Sequence, residues 1–174
     1  MKQSKQVALA GMFAALQIVL MFLGSVVWIL CYTAPMLCGL IMIMLRDSVG
    51  TKYCFTVYLV CSLVGIFFLP DKECVLTYVF FFGYYTMIRD KIEALPRVVA
   101  TVLKYLLFNV TIAASQVILV YAFHIPFDTD FGKWSIPLFA FSFNFVFFFY
   151  EKLFPRLVKL YEVKYKSRVD RLLK

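Results

Sequence analysis

VALAGMFAALQIVLMFLGSVVWILCYTAPMLCGLIMIML, residues 7–45, runs for 39 positions without a charged side chain. A hydrocarbon core about 30 Å thick takes about 20 helical residues. The stretch is too long for one membrane span and long enough for two. The chain therefore turns back between Gly24 and Pro35, and Pro35 suits an early position in the second helix.

Working outward, Lys2 and Lys5 precede this stretch and the tight turn Arg46-Asp47-Ser48 follows it. A third span is expected over 49–69, ending at Pro70 and the charged turn Asp71-Lys72-Glu73. A fourth, dominated by aromatics, covers 74–88. The loop Arg89-Asp90-Lys91-Ile92-Glu93 and Pro96 lead into a fifth span over 97–123. A loop from His124 to Lys133, with Pro126, Asp128, Asp130 and Gly132, precedes a sixth span over 134–150. From Glu151 the chain mixes Leu, Val and Tyr with basic residues, the pattern of a helix continuing past the membrane or lying along its surface.

Positive charge resists translocation and stays cytoplasmic. Fifteen of the 18 Lys and Arg fall on one side of this six-span arrangement: at Lys2/Lys5, Arg46/Lys52, Arg89/Lys91/Arg97 and from Lys152 to Lys174. Only Lys72 and Lys133 fall on the other side, each among acids, and Lys104 lies within span five. The expected fold is an all-α integral membrane bundle of six transmembrane helices with both termini cytoplasmic. Residues 1–150 form the six-helix domain and 151–174 a basic cytoplasmic helix or tail, in a multi-pass protein of the cell membrane, on this pattern the bacterial cytoplasmic membrane.

Composition agrees. The chain is 63% hydrophobic with a mean hydropathy of +0.86, and only 16% charged against about 25% in soluble domains. The net charge of +8 lies beside apolar spans, so attraction to anionic lipid explains it better than nucleic-acid binding. Residues 1–15 resemble a signal peptide, but no A-x-A site follows and the apolar run continues to Leu30, which predicts a retained first span. The five cysteines contain no C-x-x-C and there is one histidine. Thiol redox and zinc chemistry gain little support, and the cysteines suit small apolar positions.

No expected span carries Asp or Glu near its centre, which argues against proton- or ion-coupled transport. Neither a G-x-S-x-G nor a phosphate-cradling glycine loop is present, so the chain is expected not to be an enzyme, to hold no metal and to need no cofactor of its own. Three constellations remain. In span one, Ala10/Ala14 and Gly11/Ala15 are small pairs four apart, able to admit another helix closely. Packing within the chain and docking on a partner subunit both explain them. Polar residues inside spans (Gln17, Asn109, Thr111, Ser115, Gln116, Ser142 and Asn144) serve either as interhelical hydrogen bonds or, for Ser115, Gln116 and Asn144, as the polar floor of a ligand pocket. Trp28, Tyr32, Tyr78, Tyr121 and Trp134 mark the outer interface, as aromatic belts do. With His124, Asp128 and Asp130 in the same layer, they also suit a pocket for a flat polar molecule. Lys104 is close enough to the inner end to snorkel and is not assigned to the site. Gly83, within the aromatic run Phe80–Tyr85, gives room for a close neighbour.

With its size, its six expected helices and Ala10-Gly11-Met12-Phe13-Ala14 in the first of them, the chain resembles the substrate-binding S components of energy-coupling factor (ECF) transporters. The layout covers the whole chain; the motif itself is the five-residue A-x-x-x-A. The resemblance implies capture of a vitamin or similar micronutrient in the outer half, with Trp28, Tyr32, Tyr78, Ser115, Gln116, His124, Trp134 and Asn144 as candidate binding residues. It also implies docking, through Ala10, Gly11, Ala14 and Ala15, on a transmembrane coupling subunit. Two cytoplasmic ATPases would consume the ATP. The alternative is a non-catalytic envelope scaffold or assembly subunit of the rod-shape-protein type.

Overall fold

The uncharged stretch folds as two helices, α1 (Lys2–Val26) and α2 (Thr33–Val49), with Pro35 in the first turn of the second. The computed structural model describes residues 2–27, 30–124 and 135–164. Over these it is all-helical. After α2 come α3 (Thr51–Phe68), α4 (Lys72–Thr77), a π turn (Tyr78–Phe82), α5 (Gly83–Glu93), α6 (Arg97–Ala122) and α7 (Ser135–Lys164). The segments α4, π turn and α5 are continuous and form one rod over 72–93, so the described residues make six helical rods. Three helices, over Gln3–Val26, Thr51–Phe68 and Arg97–Ala122, are long and apolar enough to cross a membrane. With 17 residues, α2 reaches about 26 Å at 1.5 Å per residue, just short of a full hydrocarbon core.

Two boundaries differ from expectation, and of the two courses expected after Glu151 a helix continuing from the sixth rod is the one observed. Arg46-Asp47-Ser48 is not a turn: α2 continues through it to Val49. Arg46 bonds the Thr86 carbonyl and pairs with Asp90 at 3.0 Å, which fixes the end of α2 against α5. The chain reverses at Gly50 instead, whose φ of 99° lies in the left-handed region that glycine tolerates. Arg89–Glu93 is the last turn of α5 rather than a loop, closed by an i,i+4 ion pair between its two ends. Finally, α7 runs unbroken from Ser135 to Lys164 with Pro155 inside it, so Glu151 stands in mid-helix.

Two cores share the central α2 and the 72–93 rod. One joins Met42 and Leu45 of α2 to Met21 of α1, Val57 of α3 and Tyr78. The other joins Leu40 and Ile43 of α2 to Phe81, Phe82, Tyr85, Phe108, Phe147 and Tyr150. Phe108 stacks on Phe147 at 4.4 Å and Phe81 on Tyr85 at 4.6 Å between ring centroids. The run Phe80–Tyr85 is thus largely interior, with Phe81, Phe82 and Tyr85 fully covered.

Gly83 permits one of the closest approaches. A Cβ there would stand 2.5 Å from the Tyr58 ring, which is pinned by its hydroxyl donating to the Val79 carbonyl at 2.9 Å. Gly83→Ala should therefore lower the melting temperature in nanodiscs, because overpacking costs about 1–3 kcal/mol against at most about 1 kcal/mol of helix propensity gained. At Gly11 the same Cβ meets nothing within 4 Å, so Gly11→Ala should leave the melt unchanged or raise it. A Gly83→Ala melt at or above wild type would contradict this packing.

Candidate functional site

The first turn of α4 creates the site. Asp71 caps it, its carboxylate accepting from the Glu73 backbone N–H at 2.9 Å. Glu73 therefore stands in a helical first turn, where a carboxylate is favoured by the helix dipole. Its Oε1 accepts from the Tyr32 hydroxyl and from Gln116 Nε2, both at 2.8 Å. Three rods meet on one oxygen. The neighbouring Lys72 is engaged elsewhere, its ammonium donating to the Ile66 and Leu69 carbonyls at 2.8 and 2.7 Å. Burial first, and then the adjacent Glu73 carboxylate, hold the Tyr32 phenol well above its ordinary pKa, so it remains the donor. Beside it, the Cys31 thiol donates to Asp71 at 3.0 Å.

Next to this cluster, on the other side of Tyr32, is a hollow of about 100 Å³ lined by Tyr32, Thr77, Phe82, Phe108, Phe139, Ser142, Phe143 and Val146, and not by Glu73 itself. Tyr32 joins the two parts: its hydroxyl reaches Glu73 while its ring meets Phe143 edge-on at 4.7 Å. A groove of about 300 Å³ between α6 and α7 adjoins the hollow, sharing Phe139 and Phe143 and including Gln116. Small-molecule sites typically combine an apolar aromatic wall with a few convergent polar groups.

A second polar cluster lies 12 residues down α6 from Gln116, about 18 Å away at helical rise. Lys104, only 8% exposed, donates to Glu93 at 2.8 Å and to Glu151 at 2.7 Å. Glu151 also accepts from the Tyr85 hydroxyl, and Arg89 pairs with Glu93 and sits 3.8 Å over the Phe154 ring. Lys104 thus reaches the end of α5 at Glu93, and the acid expected outside the spans, Glu151, points into the bundle beside it. This network ties α5, α6 and α7 together as closed ion pairs.

Among the predicted binding residues, Tyr32 and Gln116 come together on Glu73. Tyr78 faces the other way: it is fully buried and its hydroxyl donates to Gln17 Oε1 at 2.8 Å, while Gln17 Nε2 reaches the Met42 sulfur at 3.3 Å. Ser115 turns back onto the Ile112 carbonyl of its own helix. Asn144 and Asn109 exchange reciprocal amide bonds at 2.9 Å, joining α7 to α6. His124 is exposed just past α6, at a φ of 54°. Trp28, Trp134, Asp128 and Asp130 lie outside the described residues.

The small pairs of α1 separate. Ala10 is buried and the Ala14 carbonyl accepts from the Cys61 thiol at 3.6 Å, so this pair packs inside the chain. Gly11 and Ala15 face outward beside Met12, which is 70% exposed. The five cysteines are free and buried. Three of them (Cys38, Cys61 and Cys74) direct their thiols at carbonyls of α1.

Glu73, Thr77, Phe82, Phe108, Phe139 and Phe143 are missing from the sequence-derived site. The signal for Glu73 was the cap at Asp71, two residues earlier, which places it in a helix and brings Thr77 onto the same face one turn later. Among the described residues no three His, Cys, Asp or Glu side chains converge as a metal-binding set. No protein-family profile, curated sequence or solved structure matches this chain.

Removing Glu151 should expose the dependence of the bundle on its ion pairs. Glu151→Ala leaves Lys104 with Glu93 alone and takes the acceptor from the Tyr85 hydroxyl, and should cost about 1–3 kcal/mol, the range for a buried polar group that loses its partner. The double variant Lys104→Met/Glu151→Leu should be milder in the same thermal melt. A double variant as damaged as the single one would show that packing, not charge, holds this joint.

Proposed function

We propose that the chain is a six-span membrane subunit that captures a small molecule in its outer half and passes it to a separate ATPase-driven coupling module, as ECF S components do. The observation that carries this reading is the hollow on the other side of Tyr32 from Glu73. Four rods line it (Tyr32 from the start of α2, Thr77 and Phe82 from the 72–93 rod, Phe108 from α6, and Phe139 and Phe143 from α7), and the Glu73 carboxylate stands behind this wall, hydrogen-bonded to Tyr32 of the hollow and to Gln116 of the adjoining groove. The distribution of Lys and Arg supports an extracellular position for that end and a cytoplasmic position for both termini, in a bacterial cytoplasmic membrane. In this assignment residues 1–150 hold the spans, and the basic segment from 151 extends α7 toward the cytoplasm and anionic lipid.

The aromatic layer below the hollow supports capture rather than conduction. Phe81, Phe108 and Phe147 close on one another there, which leaves no wet path between the two polar ends among these side chains. Delivery then requires the whole subunit to move against a partner. The surface suited to that partner is the Gly11/Ala15 edge of α1, where two missing side chains admit a close helix.

Two measurements test the assignment. Mass spectrometry of protein purified in nanodiscs should identify one co-purifying small molecule, and affinity capture from the native membrane should recover a coupling subunit with ATPases. Ala15→Leu should reduce that recovery about tenfold or more without changing the melt, whereas Ala10→Leu should lower the melt. No ligand and no ATPase, with cell-wall synthesis proteins recovered instead, would reassign the chain as an envelope scaffold.

A further inference from the structure

We infer that the outer hollow selects a small aromatic cation, a flat ring bearing a protonated or amidinium nitrogen. This rests on the capture reading and names the chemical class of its ligand. Glu73 is held by two neutral donors, the Tyr32 hydroxyl and the Gln116 amide. Among the described residues no Lys or Arg is paired with it, and the adjacent Lys72 is committed to the carbonyls ending α3. Asp71 adds a second carboxylate in the same turn, bonded to the Cys31 thiol rather than to a cation. The negative charge one hydrogen bond behind the Tyr32 wall of the hollow therefore has no counter-charge among these neighbours, and the partly apolar surroundings strengthen its pull on a cation.

The walls favour the same class. Tyr32, Phe82, Phe108, Phe139 and Phe143 offer ring faces and edges around a space of about 100 Å³. Apolar cavities of about 150 Å³ hold benzene, so the hollow alone is tight for a six-membered ring, and the ring with its substituent spans the hollow and the adjoining groove of about 300 Å³. Rings attract a cation through their quadrupole, and a carboxylate facing an N–H donor forms a charge-assisted hydrogen bond. An anionic ligand would be repelled by Glu73 and Asp71, which stand behind the Tyr32 wall. A neutral ring would gain the walls and forgo the carboxylate.

Benzamidinium and benzamide share a ring and shape and differ in charge, which makes them suitable probes. Each is titrated against the full chain in phosphatidylcholine nanodiscs, with ligand-observed NMR and empty nanodiscs as the blank. The expected result is a dissociation constant for benzamidinium about tenfold or more below that of benzamide, with Glu73→Gln abolishing the difference and leaving benzamide binding in place. The wild-type comparison stands on its own if the variant does not fold. Equal affinities, or tighter benzamide, overturn the cationic class while ring binding upholds capture at the hollow. Binding of neither probe overturns both.

Discussion

A polar side chain among hydrocarbon has no water to bond with, so it must find its partner on a neighbouring helix or carry the cost of standing alone. That constraint orders this bundle. Gln17 meets Tyr78 and Met42, which fixes α1 against α2 and the π turn. Asn109 meets Asn144 and joins α6 to α7 beside the stacked rings of Phe108 and Phe147. Lys104 meets Glu93 and Glu151 and closes the opposite end of the same three-rod group. Glu73 is the exception: its neighbours satisfy it as a hydrogen-bond acceptor and leave its charge unmatched among the described residues.

Between the two polar ends stands a layer of rings, and its geometry depends on the π turn. The wider turn over Tyr78–Phe82 sends Tyr78 toward α1 while Phe81 and Phe82 face α6 and α7. A regular helix through these residues would change the phase of everything after it relative to Glu73 and Thr77. The π turn thus lets one rod serve both cores and still present its carboxylate to Tyr32 and Gln116. Gly39 and Gly83 allow the close approaches on either side, one beneath Tyr150 and the other against Tyr58.

Much of this was legible from residue type and spacing. The 39-residue uncharged stretch dictated two helices, and the chain breaks between them where a turn was needed. Tyr32 and Gln116 were readable as residues that need a polar partner, because a phenol and a mid-helix amide among apolar neighbours both require one. The carboxylate that unites them was not, since Glu73 counted as loop charge until its cap placed it in a helix. Charge also misled at Arg46-Asp47-Ser48 and Arg89–Glu93, where ion pairs hold helical turns together that composition alone reads as loops. Tyr78 failed for a different reason. Adjacent residues on a helix stand about 100° apart, so Thr77 can line the hollow while Tyr78 faces the other core, and no local pattern announced the π turn that sets this phase. Lys104 did carry a signal: a lysine inside a span calls for an acid, and Glu151 lies just beyond the run assigned to span six.

The outward face of α1 calls for a different kind of reasoning, because apolarity there distinguishes nothing. Lipid tails are as apolar as leucine, so Met12, Leu16 and Val19 are equally suited to lipid and to protein. Shape is what separates the two. Lipid fills any contour, whereas a second helix gains contact only where the backbone can be reached. Gly11 and Ala15, one turn apart and open on that side, provide such a place, while the equivalent positions on the inner face, Ala10 and Ala14, are already used by α3 and its Cys61 thiol. The A-x-x-x-A spacing therefore belongs to the interior of this protein, and the pair one residue on, Gly11 and Ala15, is the one left open on the outward face.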